Sequence, residues 1–294
     1  MISARAGGPI TRTTPSMLTR SDMPGMRAIT VCVDMADLLA VTLPYNRHHF
    51  DEMMVVTSLA DEATAEIART YNCVRYATNS FYADDALFNK WRALEEGLNY
   101  FDRKGWLCLI DPDVLWPKRV KAGVLDSGAL LLGNGGMSTV ALPGMLQTPR
   151  RRMLSDLSQL RERGLPLEEE WPLFPLHPQQ REWAGYTQIF HADDPHLGTP
   201  PWHQVDWKHA GGADSFFQQK WSADEKLRPP FEVLHLGPAG KNWCGRVTPY
   251  LDGRVPDAAI WRLSILHTLI RQRDRNAADP YAAERVQKNP PPRH

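Results

Sequence analysis

Between Ala28 and Ile110, strand-like and helix-like stretches alternate, and this pattern narrows the fold more than any other feature of the chain. Ala28–Val33 is β-rich and stops at Asp34. Ala36–Tyr45 carries an apolar helical pattern, and Met53–Thr57 reads as a second strand. Asp61–Tyr71 reads as a helix capped by Asp61, and Cys73–Ala77 as a third strand. Asp84–Phe101 places Leu87, Trp91, Leu94, Leu98 and Phe101 at helical spacing. Trp106–Ile110 is apolar throughout, as a strand buried on both faces must be, and it stops at Asp111. Repeated strand–helix units predict an α/β fold with a parallel sheet covered by helices. Such sheets bind ligands beyond the carboxyl ends of their strands, which is where Asp34 and Asp111 fall.

The second half is less regular. Ala129–Leu132, Tyr186–His191 and Phe231–Leu236 read as strands, Thr148–Arg163 as a basic helix containing Arg150, Arg151 and Arg152, and Pro166–Pro178 as a loop. Asp257–Arg273 has an amphipathic helical pattern through Ile260, Trp261, Leu263, Leu266 and Ile270. The expected organisation is a disordered leader over 1–25, one domain over 26–250, a C-terminal helical extension packed on it over 251–275, and a flexible tail over 276–294.

Bulk properties remove several function classes. The 294 residues are 43% hydrophobic, enough for a substantial core. Lys+Arg and Asp+Glu both number 34, so no net charge steers the chain towards nucleic acid or a membrane surface. No apolar run approaches the roughly 20 residues needed to span a bilayer, and Met1–Arg20 lacks the apolar segment of a secretory signal. Cys32, Cys73, Cys108 and Cys244 form no C-x-x-C pair, so reduced, mostly buried thiols and a cytoplasmic location are expected. The glycine-rich dinucleotide and P-loop motifs and the G-x-S-x-G nucleophile elbow are all missing.

Two segments carry chemistry. Asp111-Pro112-Asp113 leaves the buried strand with two carboxylates one residue apart, a hard oxygen set suited to Mg²⁺ or Mn²⁺. A surface turn would use the same residues, and it is the position at a strand's end that favours a site. The second segment runs from His235 through Gly237 and Gly240 to Lys241, Asn242 and Trp243. Neutral His is a good transition-metal ligand, glycines let backbone N–H groups approach an anion, and Lys241 adds a positive point charge. Its alternative is a plain turn with a core His and a packed Trp. His191, Asp193, Asp194 and His196 form a weaker polar cluster that could hold a metal but reads first as a solvated loop. His48 and His49 read as surface residues, and Trp202, Trp207 and Trp221 as packing residues first and as faces for a sugar or base second.

Together the two segments resemble GT-A glycosyltransferases. "LIDPDVLWP" is similar to the D-x-D strand of that class, above all to the L-D-x-D-x-L of glycosyltransferase family 8. "HLGPAGKNW" is similar to that family's C-terminal H-x-x-G-x-x-K-P-W, with His235, Lys241 and Trp243 at matching offsets, Gly237 one position early and Asn242 in place of Pro. The resemblance spans roughly Arg27 to Arg246. It implies a GT-A, Rossmann-like, mixed and mainly parallel sheet flanked by helices. It also implies metal-dependent sugar transfer from a nucleoside-diphosphate sugar, UDP-sugar favoured, to an acceptor hydroxyl. Mn²⁺ or Mg²⁺ would sit on Asp111, Asp113 and His235. Donor contacts would come from Asp34, Lys90, Asp111, Gly237, Lys241 and Trp243, and the catalytic group would be Asp214 or Gln188. Ser215 stands where the family has Gln.

Three alternatives accompany this reading. A haloacid-dehalogenase-like phosphohydrolase would use Asp111 and Asp113, although its motif closes the first strand of that fold. A nucleic-acid-binding module would use Arg150–Arg152, Lys118, Arg119, Lys121 and the arginines of 262–275. Sugar transfer and nucleic-acid binding combine in GT-A-like proteins of phage type that modify hydroxymethylated DNA bases, which makes such a base an acceptor to consider.

Overall fold

A computed structural model describes residues 26–118, 144, 146–176, 185–229, 231–238 and 240–256. The leader, the strand expected at 129–132, the helix expected at 257–273 and the tail lie outside the described residues. So do Arg119, Lys121 and the arginines of 262–275.

The expected alternation forms. In chain order it is β1 (Met26–Val31), α1 (Ala36–Asn46), β2 (Glu52–Thr57), α2 (Glu62–Thr70), β3 (Val74–Ala77), α3 (Lys90–Tyr100) and β4 (Trp106–Ile110). Strands β3-β2-β1-β4 lie side by side and parallel. Beyond β4 the sheet turns mixed: β8 (Thr187–His191) runs antiparallel to β4 and to β6 (Leu146–Gln147), and β6 pairs in parallel with β9 (Lys226–Leu227). The result is a seven-stranded, mixed and mainly parallel sheet flanked by helices. A second, three-stranded sheet sets β10 (Glu232–Leu236) between β5 (Val114–Leu115, antiparallel) and β7 (Arg150–Leu154, parallel).

Period-two geometry explains the all-apolar β4. Cys108 and Ile110 face one core with Leu38, Leu39 and Leu43 of α1, and Leu107 and Leu109 face the other with Trp91, Leu94 and Leu98 of α3. Each such side chain contributes about 1.5–3 kcal/mol when fully buried. Gly97 lets α3 lie close to the sheet, since a Cβ there would stand 2.9 Å from Val56 Cγ2. Trp202, Trp207 and Trp221 are buried in the α3-side core, as expected.

Four expectations are corrected. The basic helix over Thr148–Arg163 is the strand β7 followed by a short helix α4 (Ser158–Arg163). β10 offers β7 a parallel ladder, and tertiary pairing outweighs the helical propensity of three arginines. Along β7 the side chains alternate: Arg150 is exposed, Arg151 is buried, and Arg152 forms a two-point ion pair with Glu232 (2.6 and 3.1 Å). Helix α3 starts at Lys90 rather than Asp84, because Asp84 and Asp85 have positive φ and the Asn89 side chain caps the helix through Arg92 N (3.0 Å). The stretch from Pro166 is not all loop, since Glu168–Leu173 forms a 3-10 turn around buried Trp171. His49 is buried against Trp116, ring centroids 5.7 Å apart. Burial, reinforced by His48, pushes its imidazole down to about 3. Cys32, Cys73, Cys108 and Cys244 form no disulfide. No helix among the described residues is long and apolar enough to cross a membrane.

Candidate functional site

A cleft of about 570 Å³ opens beyond the carboxyl ends of β1 and β4. Its floor is the turn Asp111-Pro112-Asp113. Val114 N donates to Asp111 O (3.2 Å), closing a four-residue turn with Pro112 at the position that favours its fixed φ. Thr42 Oγ1 of α1 donates to Pro112 O (2.7 Å), and Asp111 N donates to Tyr186 O (2.8 Å) at the mouth of β8.

The turn sends its two carboxylates into different surroundings. Asp111 is partly exposed and forms a close ion pair through Oδ1 with Lys90, the first residue of α3. Asp113 is 6% exposed. Its backbone carbonyl accepts from Leu236 N (2.8 Å), and the β5–β10 ladder places Val114 opposite His235. Asn46 of α1 fixes β5 from the other side, donating to Val114 O (2.7 Å) and accepting from Trp116 N (2.9 Å). Two residues far apart in sequence are thereby brought together, with His235 Nε2 3.8 Å from Asp113 Oδ2.

His235 Nδ1 lies 3.3 Å from Gly237 O, a carbonyl that can only accept, so the ring proton belongs on Nδ1. Nε2 faces the Asp113 carboxylate. Asp113 Oδ1 is buried with no hydrogen-bond partner among the described residues. Burial pushes the Asp113 carboxyl above the usual carboxylate range; His235 pulls it down and Asp111 pushes it up. A buried carboxylate beside an imidazole nitrogen, with one carboxylate oxygen left without a partner among the described residues, is an arrangement that a cation would relieve. Among the described residues no three His, Cys, Asp or Glu side chains are grouped closely enough to hold a metal as they stand. Asp111 is turned to Lys90 instead.

The remaining walls carry cations and aromatics. Arg151 lines the cleft with its guanidinium 4.2 Å from the Tyr186 ring centroid, and burial lowers its pKa against the pull of Tyr186, Asp111, Asp113 and Asp214. Asp214, in the first turn of α5 (Ala213–Gln218), accepts from Gly185 N (2.7 Å). Gly185 is needed there, since its Cβ would stand 2.5 Å from Asp214 Cβ. Lys241 lines the opposite wall and is exposed. Trp243 packs flat against Gly211, whose Cβ would meet its ring at 2.8 Å, and its carbonyl accepts from Ala210 N (2.8 Å).

The wall from Gly240 to Tyr250 is shaped by polar side chains. Asn242, standing where the resemblance expects Pro, accepts from Val247 N (2.7 Å) and Thr248 N (3.0 Å) and so holds the turn by a different device. Arg246 spends all five of its donors: Nε on Thr248 O (2.8 Å), Nη1 on Asp34 O (2.9 Å) and Asp37 Oδ1, Nη2 on Asp37 Oδ2 (2.9 Å) and Pro249 O (2.9 Å). It is therefore a strut that ties this wall to the start of α1. Sequence reasoning missed Arg246 and Asp37, because no local pattern joins α1 to a turn more than two hundred residues later, and it placed Arg151 only in a basic run rather than in the cleft.

Lys90, Asp111, Asp113, Asp214, His235, Lys241 and Trp243 all line the one cleft. Three expected site residues lie outside its lining. Asp34 sits at positive φ, with its N–H on Asp61 Oδ2 (2.7 Å) and its Oδ2 accepting from Tyr250 Oη (2.7 Å). Gly237 shapes the turn after β10, donating to Leu154 O (2.8 Å) at φ 83°. Gln188 is fully buried in the middle of β8, opposite Leu109. The cluster around His191 is accounted for structurally: His196 bridges Asp194 (2.8 Å) and Glu225 (3.2 Å), and Trp221 Nε1 donates to Asp194 (2.7 Å).

No protein-family model and no curated protein matches the sequence. Solved structures similar to the chain include the mannosyltransferase PcManGT of Pyrobaculum calidifontis in complex with GDP-Man and Mn²⁺, at 16% identity and TM-score 0.44. That match covers 87% of this chain and 65% of that one. Mannosyl-3-phosphoglycerate synthase from Rubrobacter xylanophilus is similar at 13% identity and TM-score 0.45, covering 86% and 75%. Glucosyl-3-phosphoglycerate synthase of Mycobacterium tuberculosis is similar at 15% identity and TM-score 0.40, covering 84% and 80%.

Proposed function

We propose that the chain is a metal-dependent glycosyltransferase of the GT-A type, moving a sugar from a nucleoside-diphosphate sugar to an acceptor hydroxyl. The observation that carries this reading is the meeting of Asp113 and His235 beside Asp111 on the floor of a cation-lined cleft. Asp113, His235 and Asp111 would hold Mn²⁺ or Mg²⁺, and the donor set of two carboxylates and one imidazole fits such an ion. Bound there, a divalent cation neutralises charge on a departing diphosphate.

The chain's own residues supply the rest. Lys90 and Lys241, on facing walls, bind the donor's phosphates as point charges. Val31, Val33 and Met35 give the β1 end of the cleft an apolar wall for the nucleoside, and Trp243 offers a flat face beside it. Transfer forms a bond from the acceptor oxygen to the anomeric carbon and breaks the bond from that carbon to the diphosphate oxygen; the hydroxyl proton goes to a base. Asp214 is the residue proposed for that proton. Gly185 N–H holds its Oδ2, and no described hydrogen bond reaches its Oδ1. Gln188 is not carried forward, because it is buried away from the cleft. UDP-sugar is the donor proposed. A hydroxymethylated DNA base gains nothing from the Arg150–Arg152 segment, where Arg151 is buried and Arg152 is spent on Glu232.

The test is thermal unfolding with UDP, GDP and their sugars, each with Mn²⁺ or with EDTA. A nucleotide at a hundredfold excess over its Kd adds about 2.7 kcal/mol of stability, a shift of several degrees. The shift is expected with Mn²⁺ only, and it is expected to vanish in Asp113→Ala. Stabilisation that ignores EDTA, or that survives Asp113→Ala, overturns the reading.

A further inference from the structure

Resting on that reading, we propose that Lys90 is an internal cation that occupies Asp111 until metal and diphosphate arrive together, so that Lys90 sets the coupling between metal and nucleotide binding. Three observations carry this. First, the Lys90 ammonium sits on Asp111 Oδ1, and Asp111 does not group with the Asp113–His235 pair as a metal-ready set. Second, Lys90 is the first residue of an eleven-residue helix, a place where the helix dipole disfavours a cation. An ammonium held there needs an anion in front of it, and Asp111 is the one it has. Third, the other two ligands are already held in place: Asp113 by its burial just before β5 and by Leu236 N–H on its backbone carbonyl (2.8 Å), His235 by its place in β10 and its contact with Gly237 O.

Metal entering alone must therefore displace Lys90 and leave its charge unpaired at a helix N-terminus. Metal entering with a diphosphate does not, because the phosphate oxygens become the new partner of the ammonium. The exchange is charge-balanced: the carboxylate trades one cation for another, and the freed cation takes the anion that arrives with the metal. Coupling of this kind is reciprocal and amounts to roughly 5–150-fold in affinity.

The experiment is calorimetric titration of Mn²⁺ into the full chain, with and without UDP, for the wild type, Lys90→Met and Lys90→Arg. The wild type is expected to bind Mn²⁺ weakly alone and at least fivefold more tightly with UDP. Lys90→Met is expected to bind Mn²⁺ alone several-fold more tightly than the wild type and to lose most of the UDP-linked gain. Lys90→Arg keeps the charge and is expected to keep the coupling. A lysine that merely repels the metal would, on removal, raise Mn²⁺ affinity by the same factor with and without UDP, and that result overturns the proposal. Equal Mn²⁺ affinity in wild type and Lys90→Met also overturns it, while leaving the glycosyltransferase reading intact. Loss of UDP-dependent Mn²⁺ binding in the wild type itself overturns both.

Discussion

The two walls of the cleft are built on different principles. The wall formed by β1, β4 and α3 stands on backbone ladders and buried apolar side chains, with Lys90 and Asp111 added at its lip. The facing wall, from Gly240 to Tyr250, makes a single one-residue bridge, Trp243 to Gly245, and no ladder among the described residues, and is organised by Asn242, Arg246 and Asp37. Burial of the first kind is spread over many residues and fails globally. Polar organisation of the second kind is concentrated in a few side chains and fails locally.

Truncating each wall should expose that difference. Trp91→Ala, deep in the α3 core, is expected to cost about 3–5 kcal/mol, read as a cooperative loss of the whole folded signal in chemical denaturation. Arg246→Ala removes five donated hydrogen bonds, but from a wall at the edge of the fold. An effect of about 2 kcal/mol is expected, seen as faster amide exchange confined to 240–250 while β1 and β4 stay protected. Exchange that spreads into β4 would show that the two walls are one cooperative unit.

The third substitution acts between the walls. Asp113→Asn removes the charge of a buried carboxylate whose Oδ1 has no hydrogen-bond partner among the described residues, so metal-free protein is expected to gain about 1 kcal/mol. Its pH dependence has a defined sign. The native Asp113 carboxyl is raised, chiefly by burial, so the unfolded chain gives up this proton first as pH rises. Wild-type stability therefore falls relative to Asp113→Asn from the ordinary carboxylate range up to the raised native one, then levels off. A gap in melting temperature that stays flat or narrows over that range, measured in EDTA, would contradict the assigned burial.

How much of this was legible depends on whether the information is local. The β1–β4 alternation could be read because period-two and period-3.6 burial write themselves into consecutive residues, as in Trp106–Ile110. The Asp61 and Asn89 caps are local too, and only the first was foreseen; Asp84 and Asp85 looked helical although both adopt positive φ. Arg150–Leu154 was misread because its strand character comes from β10, some eighty residues onward. Of the cleft, the residues with a motif behind them (Asp111, Asp113, His235, Lys241) were in view. The ones that hold them in place, Arg246 with Asp37, Asn46 with Val114 and Gly185 with Asp214, depend on contacts that no spacing encodes.

The β5–β10 ladder has a consequence for a chain leaving the ribosome. Strands β1 to β4 and their helices can pair as they emerge, each with partners close in sequence. Asp113 gains His235 only once β10 has been synthesised and has crossed to β5. The nascent protein thus carries its acidic turn through most of synthesis without the imidazole, and the cation site proposed for it would be completed as one of the last acts of folding.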